Sequence, residues 1–295
     1  MDLHTWRAQA RTLEVRGHRL AWWRDEDFDS RDAPVLLLIH GFPTSSWDWH
    51  RAWPDLAARF RLIALDMLGF GLSEKPRRHA YSIAEQAGFH QALLAELGVD
   101  RVHVLAHDYG DSVAQELLAG SADGEAAAPS SVCFLNGGLI PGRHHPRPIQ
   151  RLLAGPLGPL VSRLLNESRF RKSFSRVFGP RTQPSDAMLG ESWELISEGG
   201  GHRIAHRLIR YMAERRAMRD RWVGILGTTP VPLCLIDGLL DPVSGSDTVA
   251  GFREAAPAAH VVELPEVGHY PQLEDPQAVT NAHRDWLESL DSRSS

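Results

Sequence analysis

Residues 102–117, VHVLAHDYGDSVAQEL, place a polar turn between an apolar run and a helix-like pattern. The turn Ala106-His107-Asp108-Tyr109-Gly110-Asp111 has the layout of a nucleophile elbow, a strand-to-helix bend that exposes one reactive side chain. Its apex is Asp108, and the helix N-terminus beside it favours an ionised carboxylate. A carboxylate is a weak nucleophile, yet it suffices against a strained or activated sp3 carbon held in line. Attack gives an alkyl ester of Asp108, which a water deprotonated by histidine then hydrolyses. The plainer alternative is that Asp108 only caps the helix, the commonest job of aspartate in that position.

Partners decide between the two. In LLLIHGFPTSSWDW, residues 36–49, a strand ends in the tight turn His40-Gly41-Phe42-Pro43. The backbone N–H groups of Phe42 and Tyr109 are placed to form an oxyanion hole. In LCLIDGLLDPVSG, residues 233–245, Asp241 follows a strand and a glycine turn and is placed to orient a histidine. Asp237 and Asp247 are alternatives, and Asp-Pro also starts ordinary turns. In LPEVGHYPQLEDP, residues 264–276, His269 follows Gly268 after the last expected strand. The chain order Asp108, Asp241, His269, each just after a strand, is that of nucleophile, acid and histidine in an α/β-hydrolase. Trp47 is expected to line the pocket, with Trp49 and Trp53 in the core.

These residues need a scaffold. Aliphatic runs at 35–39, 61–65, 102–106, 132–135, 233–236 and 261–264 read as central strands of a sheet covered on both faces. They alternate with helical patterns at 83–97, 111–119 and 276–290, which predicts an α/β, doubly wound, mostly parallel sheet. LEVRGHRLAWW, residues 13–23, reads as an edge hairpin centred on Gly17, and residues 120–130 as a surface loop. Between 137 and 227 the alternation stops, and helix-like segments broken by Pro and Gly take over. The predicted division is a core of 1–136 and 228–295 with a helical cap of 137–227. Residues 141–222 hold 16 Lys+Arg against 7 Asp+Glu, or +9, leaving 16 against 30, or −14, elsewhere. Such a basic cap is either a set of solvated helix faces or an attractor for an anionic substrate or partner.

A net charge of −5 argues against general affinity for nucleic acid. No apolar run approaches the roughly 20 residues of a membrane span, and the N-terminus lacks an apolar signal core. Cys133 and Cys234 lie inside expected strands and read as buried apolar residues. The expectation is a cytoplasmic protein with a small-molecule substrate and no nucleic-acid or membrane partner. Gly69-Phe70-Gly71 lacks dinucleotide spacing, and His202 and His206 lack an intervening HExxH glutamate, so neither a cofactor nor a metal is expected.

The chain resembles the α/β-hydrolase superfamily over nearly its whole length. HGFPTSSWDW, ALDMLGFGLSEKP and GHYPQLEDP are similar to epoxide hydrolases and haloalkane dehalogenases, whose nucleophile is aspartate. AHDYGDSVAQELL, CFLNGG, VFGPRTQPS and HYPQLEDP resemble the mesoderm-specific transcript proteins more closely. Vertebrate members of that group carry membrane-associated segments; their lack here implies a soluble, bacterial member. The resemblance implies an eight-stranded α/β-hydrolase core with an inserted cap and a cofactor-independent hydrolase. Asp108 would then be nucleophile, His269 base and Asp241 its orienting acid.

Departures narrow the reaction. Dehalogenases place Trp after the nucleophile as a halide donor, where this chain has Tyr109, and Phe42 follows Gly41 where a second donor often stands. Epoxide hydrolases use two cap tyrosines as acids. Here Tyr211 is the one tyrosine between 137 and 227, acting alone or with His144 or His145. Epoxide opening is the leading expectation, dehalogenation the second, and a silent member binding a ligand or protein the third. Asp111 is expected to be structural, turned from the pocket.

Overall fold

The computed structural model describes residues 1–124 and 127–294. Its strands are β1 (Arg11–Val15), β2 (His18–Arg24), β3 (Val35–Ile39), β4 (Arg61–Leu65), β5 (Arg101–His107), β6 (Ala128–Leu135), β7 (Leu233–Gly238) and β8 (His260–Leu264). They form one sheet in the order β1-β2-β4-β3-β5-β6-β7-β8. The pairs β1–β2 and β2–β4 are antiparallel and all others parallel. The expected eight-stranded α/β-hydrolase fold is therefore the observed one. Arg16 and Gly17 join β1 to β2 with φ of 52° and 77°, which a two-residue hairpin turn of matching twist requires.

Every side chain of β3 is buried, which explains its unbroken apolar run. Leu36 and Leu38 enter one hydrophobic layer with Trp23 and Trp49. Leu37 and Ile39 enter the other with Phe89 and Val113. From β3 the chain steps to β4 on one side, then returns to β5 on the other. That reversal parts the loops leaving β3 and β5, and open α/β sheets bind ligands in such a crevice.

Helices α1 (Leu3–Ala8), α2 (Trp53–Ala57), α3 (Ile83–Glu96) and α4 (Tyr109–Ala122) precede β6. Between β6 and β7 come α5 (Pro148–Ala154), α6 (Gly158–Leu164), α7 (Glu167–Phe174), α8 (Asp186–Ser197), α9 (Ala205–Leu208), α10 (Tyr211–Ala217) and α11 (Arg219–Thr228), with no strand among the described residues. Then follow α12 (Ser246–Ala255), α13 (Pro271–Glu274) and α14 (Pro276–Ser294). Ser82 caps α3 by accepting the N–H of Glu85. The loop expected over 120–130 is shorter than foreseen. α4 continues to Ala122 and β6 starts at Ala128, while residues 125 and 126 lie outside the described residues. Cys133 and Cys234 are free, buried and opposite one another on β6 and β7.

Asp66 after β4 locks two loops that frame the crevice. Its Oδ1 accepts the Ser46 N–H at 2.8 Å and the Ser46 hydroxyl at 2.7 Å, and its Oδ2 accepts the Leu72 N–H at 2.7 Å. Gly71, at φ 48°, must be glycine, because an added Cβ would stand 1.9 Å from Asp66 Oδ2. Replacing Asp66 with Ala strands two buried donors of Ser46 and the half-buried Leu72 N–H, and is expected to cost about 3–5 kcal/mol in urea unfolding. A loss below about 1 kcal/mol would show that the loops hold without it.

Candidate active site

β5 ends at His107 and α4 begins at Tyr109, leaving Asp108 between them at φ 49°, ψ −102°. Positive φ at a non-glycine residue stores about 1–3 kcal/mol of strain and is typical of functional turns. Two glycines make room for the bend. A Cβ on Gly110 would lie 2.6 Å from the Ile39 carbonyl, and one on Gly41 would lie 2.9 Å from Asp108 Cβ. The loop after β3 therefore touches the elbow directly. The Phe42 N–H donates to Asp108 Oδ2 at 3.0 Å. The Tyr109 amide opens α4, and the Tyr109 ring packs behind the elbow, 5.5 Å from Phe70 and 4.8 Å from Tyr211 between centroids.

The acid and the histidine meet at the far ends of β7 and β8. His269 Nδ1 donates to Asp241 Oδ2 at 2.7 Å. The same carboxylate accepts the Ser244 hydroxyl at 2.5 Å, the Val243 N–H at 2.7 Å and the Asn136 side-chain amide at 3.1 Å. Burial works against its charge, but His269 and these donors hold Asp241 below the usual carboxylate range. Burial likewise opposes a charged His269, yet Asp241, and then Asp108, outweigh it and raise the imidazole to about 9. Of the alternative acids, Asp247 meets His145 on the surface, and Asp237 bonds to Asn136.

The His269 loop is tied to the α7–α8 connection. The His269 N–H donates to the Val177 carbonyl at 2.8 Å. Glu274 accepts the N–H groups of Gly179 and Gly268, each at 2.8 Å, and that of Tyr270 at 3.0 Å.

Arg215 of α10 carried no role in the sequence reading, yet it is 3% exposed and reaches the elbow. Its guanidinium donates to the Asp108 backbone carbonyl and to the Ser112 hydroxyl, both at 2.5 Å, and stands 3.9 Å from Asp108 Oδ1. It lies 4.5 Å over the Tyr211 ring. The spacing of Tyr211 and Arg215, four apart on one helix face, was the available signal. Burial, then the Asp108 charge, pushes the Tyr211 hydroxyl up. Burial and Arg215 hold His144 down at about 4, so it is neutral beside the elbow, whereas His145 bonds to Asp247 on the surface. Asp111 has no exposed surface, and burial pushes its carboxyl well above the usual range. Burial therefore works against a second negative charge beside Asp108.

A cavity of 570 Å³ meets the site at Phe42 and His269, with Asp108 not among its walls; Phe70, Val243 and Tyr270 also line the sheet side and α5 to α8 lie opposite. Trp47 and Tyr211 stand outside its walls. The Trp47 indole instead stacks on His50 at 3.9 Å and donates to Glu191 at 3.3 Å, because the tryptophan cluster with Trp6 draws it into the core. Tyr211 lies behind Phe42, with 6.1 Å between ring centroids.

The raised His269 value has a thermodynamic consequence. Its folded-state value of about 9 exceeds the ordinary 6.5, so its charge contributes stability that is complete below pH 6.5 and lost as pH rises through about 9. Urea unfolding should show wild-type stability falling over that window. The Asp241→Asn variant should lose this pH dependence, with the His269 ring titrating lower by NMR. A wild-type His269 titrating near 6.5 would contradict the account.

The arrangement has known relatives. Residues 36–282 match a family model described as the alpha/beta hydrolase family. The human mesoderm-specific transcript homolog protein is 40% identical over 98% of this chain and 88% of its own length. The LipZ hydrolase of Mycobacterium tuberculosis is 43% identical over 85% and 87%. Epoxide hydrolase B of the same organism is 29% identical over 83% and 69%. The crystal structure of an alpha/beta hydrolase fold protein from Burkholderia ambifaria superposes with a TM-score of 0.77 at 26% identity, covering 94% of this chain and 97% of that one. The chain belongs to the alpha/beta hydrolase family, and its near relatives include the mesoderm-specific transcript proteins.

Proposed function

We propose that this protein is a hydrolase that works through an alkyl ester of Asp108, with an epoxide as its substrate. The observation that carries the reading is the elbow itself. Its side chain is a carboxylate already bound by the Phe42 amide at 3.0 Å, in a site that also holds the His269–Asp241 pair. In this reading one carboxylate oxygen attacks an epoxide carbon, the C–O bond opens, and Tyr211 gives its proton to the leaving oxygen. Tyr211 packs against Phe42, itself a cavity wall, at 6.1 Å between ring centroids, and the His144 ring nitrogens have no partner among the described residues.

Esterification removes the Asp108 charge, which raises His269 less than Asp241 does. That favours loss of the imidazolium proton to solvent, and the neutral ring then takes a proton from water at the step that needs a base. Hydroxide adds to the ester carbonyl, whose oxyanion the Phe42 and Tyr109 amides hold. Collapse expels the alkoxide, which takes the proton from His269 and leaves as a diol. The regenerated carboxyl returns its proton to Tyr211 and His269 regains one from solvent, so the cycle consumes one water. Dehalogenation is less well supported, because Tyr109 is packed away from the cavity and offers no halide donor there.

The test is a trapped intermediate. With His269→Gln, a panel of epoxides and haloalkanes is incubated and intact protein mass recorded. An adduct on Asp108 equal to a whole epoxide supports the proposal; an alkyl group without its halide supports dehalogenation. No adduct, together with no turnover by the wild type, would favour a silent ligand-binding member. Tyr211→Phe is expected to slow adduct formation roughly 10²-fold.

A further inference from the structure

We propose that the outer face of α5 and α6 docks on an anionic phospholipid bilayer, with the cavity mouth at the lipid interface. This departs from the sequence expectation of no membrane partner and does not depend on which electrophile Asp108 attacks. Among the described residues the exposed large hydrophobics are Met1, Leu240 and four leucines of this one hairpin. Leu152, Leu157, Leu160 and Leu164 are 52%, 62%, 53% and 53% exposed. Leu157, Leu160 and Leu164 recur at helical spacing and form one outward stripe on α6, beside Leu152 of α5. Exposed leucines so clustered have a water cost that a partner must remove.

The charge around them names the partner. Residues 143–176 contain 8 Lys+Arg and 1 Asp+Glu. Arg143 pairs with Glu254, and Arg171 with Glu167 and Asp186. The other six, Arg147, Arg151, Arg163, Arg169, Lys172 and Arg176, have no carboxylate within 4 Å among the described residues. Apolar residues flanked by unpaired cations are the composition of an element that lies in an anionic interface. A second copy of the chain would set these cations against each other, which disfavours a self-association surface.

The same face is continuous with the cavity. Leu152 and Leu164 are half exposed and also wall the cavity, as do Arg147, Arg169, Lys172 and Arg176. No wall residue of that cavity is Asp or Glu. Docking would therefore open the cavity toward lipid, and an apolar molecule could enter without crossing water. No described helix is long and apolar enough to cross a membrane, and lying on the interface requires none.

The test is co-sedimentation of the whole chain with vesicles of phosphatidylcholine alone and of phosphatidylcholine mixed with phosphatidylglycerol. Binding to the anionic vesicles is expected to exceed that to neutral ones at least about tenfold and to fall with added salt. Leu157→Glu/Leu160→Glu, neither a cavity residue, should lose most of that binding with an unchanged melting curve. Arg151→Glu/Arg163→Glu should weaken anionic binding about tenfold or more while leaving the apolar stripe intact. Three results would overturn the proposal: no partition onto anionic vesicles, full binding by both variants, or a dimer in gel filtration that the leucine variant splits, which would identify the second copy as the covering partner.

Discussion

The site depends on one sharp bend. Asp108 sits at φ 49° because β5 must hand over to α4 within a single residue, and its side chain is thereby lifted clear of both elements. The strain persists because the surroundings over-determine it. Gly41 and Gly110 bring backbone so close that a single Cβ on either would collide. The Phe42 amide grips the carboxylate from the β3 side, and Arg215 grips the backbone carbonyl from α10. If the bend relaxed, the Asp108 carboxylate, the amide donors and the helix N-terminus would separate together.

Burial and neighbouring charges oppose one another around the elbow. Burial pushes the Asp111 carboxyl up, and burial and Arg215 hold the His144 imidazole down at about 4. Asp241 carries its charge against burial because four donors converge on it, His269 among them. The helices between β6 and β7 are therefore not a passive cover. Arg215 reaches the elbow, while Val177 and Gly179 hold the His269 loop through a backbone carbonyl and Glu274. Both halves of the site are fastened to that segment, so its position and the site's geometry are coupled.

Local signals revealed most of the scaffold. The β3 run, the Gly17 hairpin and the strand-turn-helix around Asp108 are written in contiguous residues, where hydrophobic period and glycine placement suffice. The Asp241–His269 contact was legible because both residues follow strands in a recurring order. Arg215, Asn136 and Glu274 were not, because they act across 107, 105 and 95 residues of chain, and nothing local marks a side chain that will bond so far away. Trp47 shows the opposite error. Its neighbourhood pointed to the cavity, but packing with Trp6 and His50 and the bond to Glu191 placed it elsewhere.

The account turns on whether a carboxylate oxygen of Asp108, rather than water, makes the new bond to carbon. A single turnover in oxygen-18 water, with enzyme in excess over an epoxide that the wild type hydrolyses, separates the two. Attack by Asp108 places the enzyme's own oxygen-16 in the first diol and leaves the peptide bearing Asp108 heavier by about 2 Da, since water then attacks the ester carbonyl. A first-turnover diol carrying oxygen-18, with that peptide unlabelled, would mean direct attack by water and would contradict the covalent mechanism.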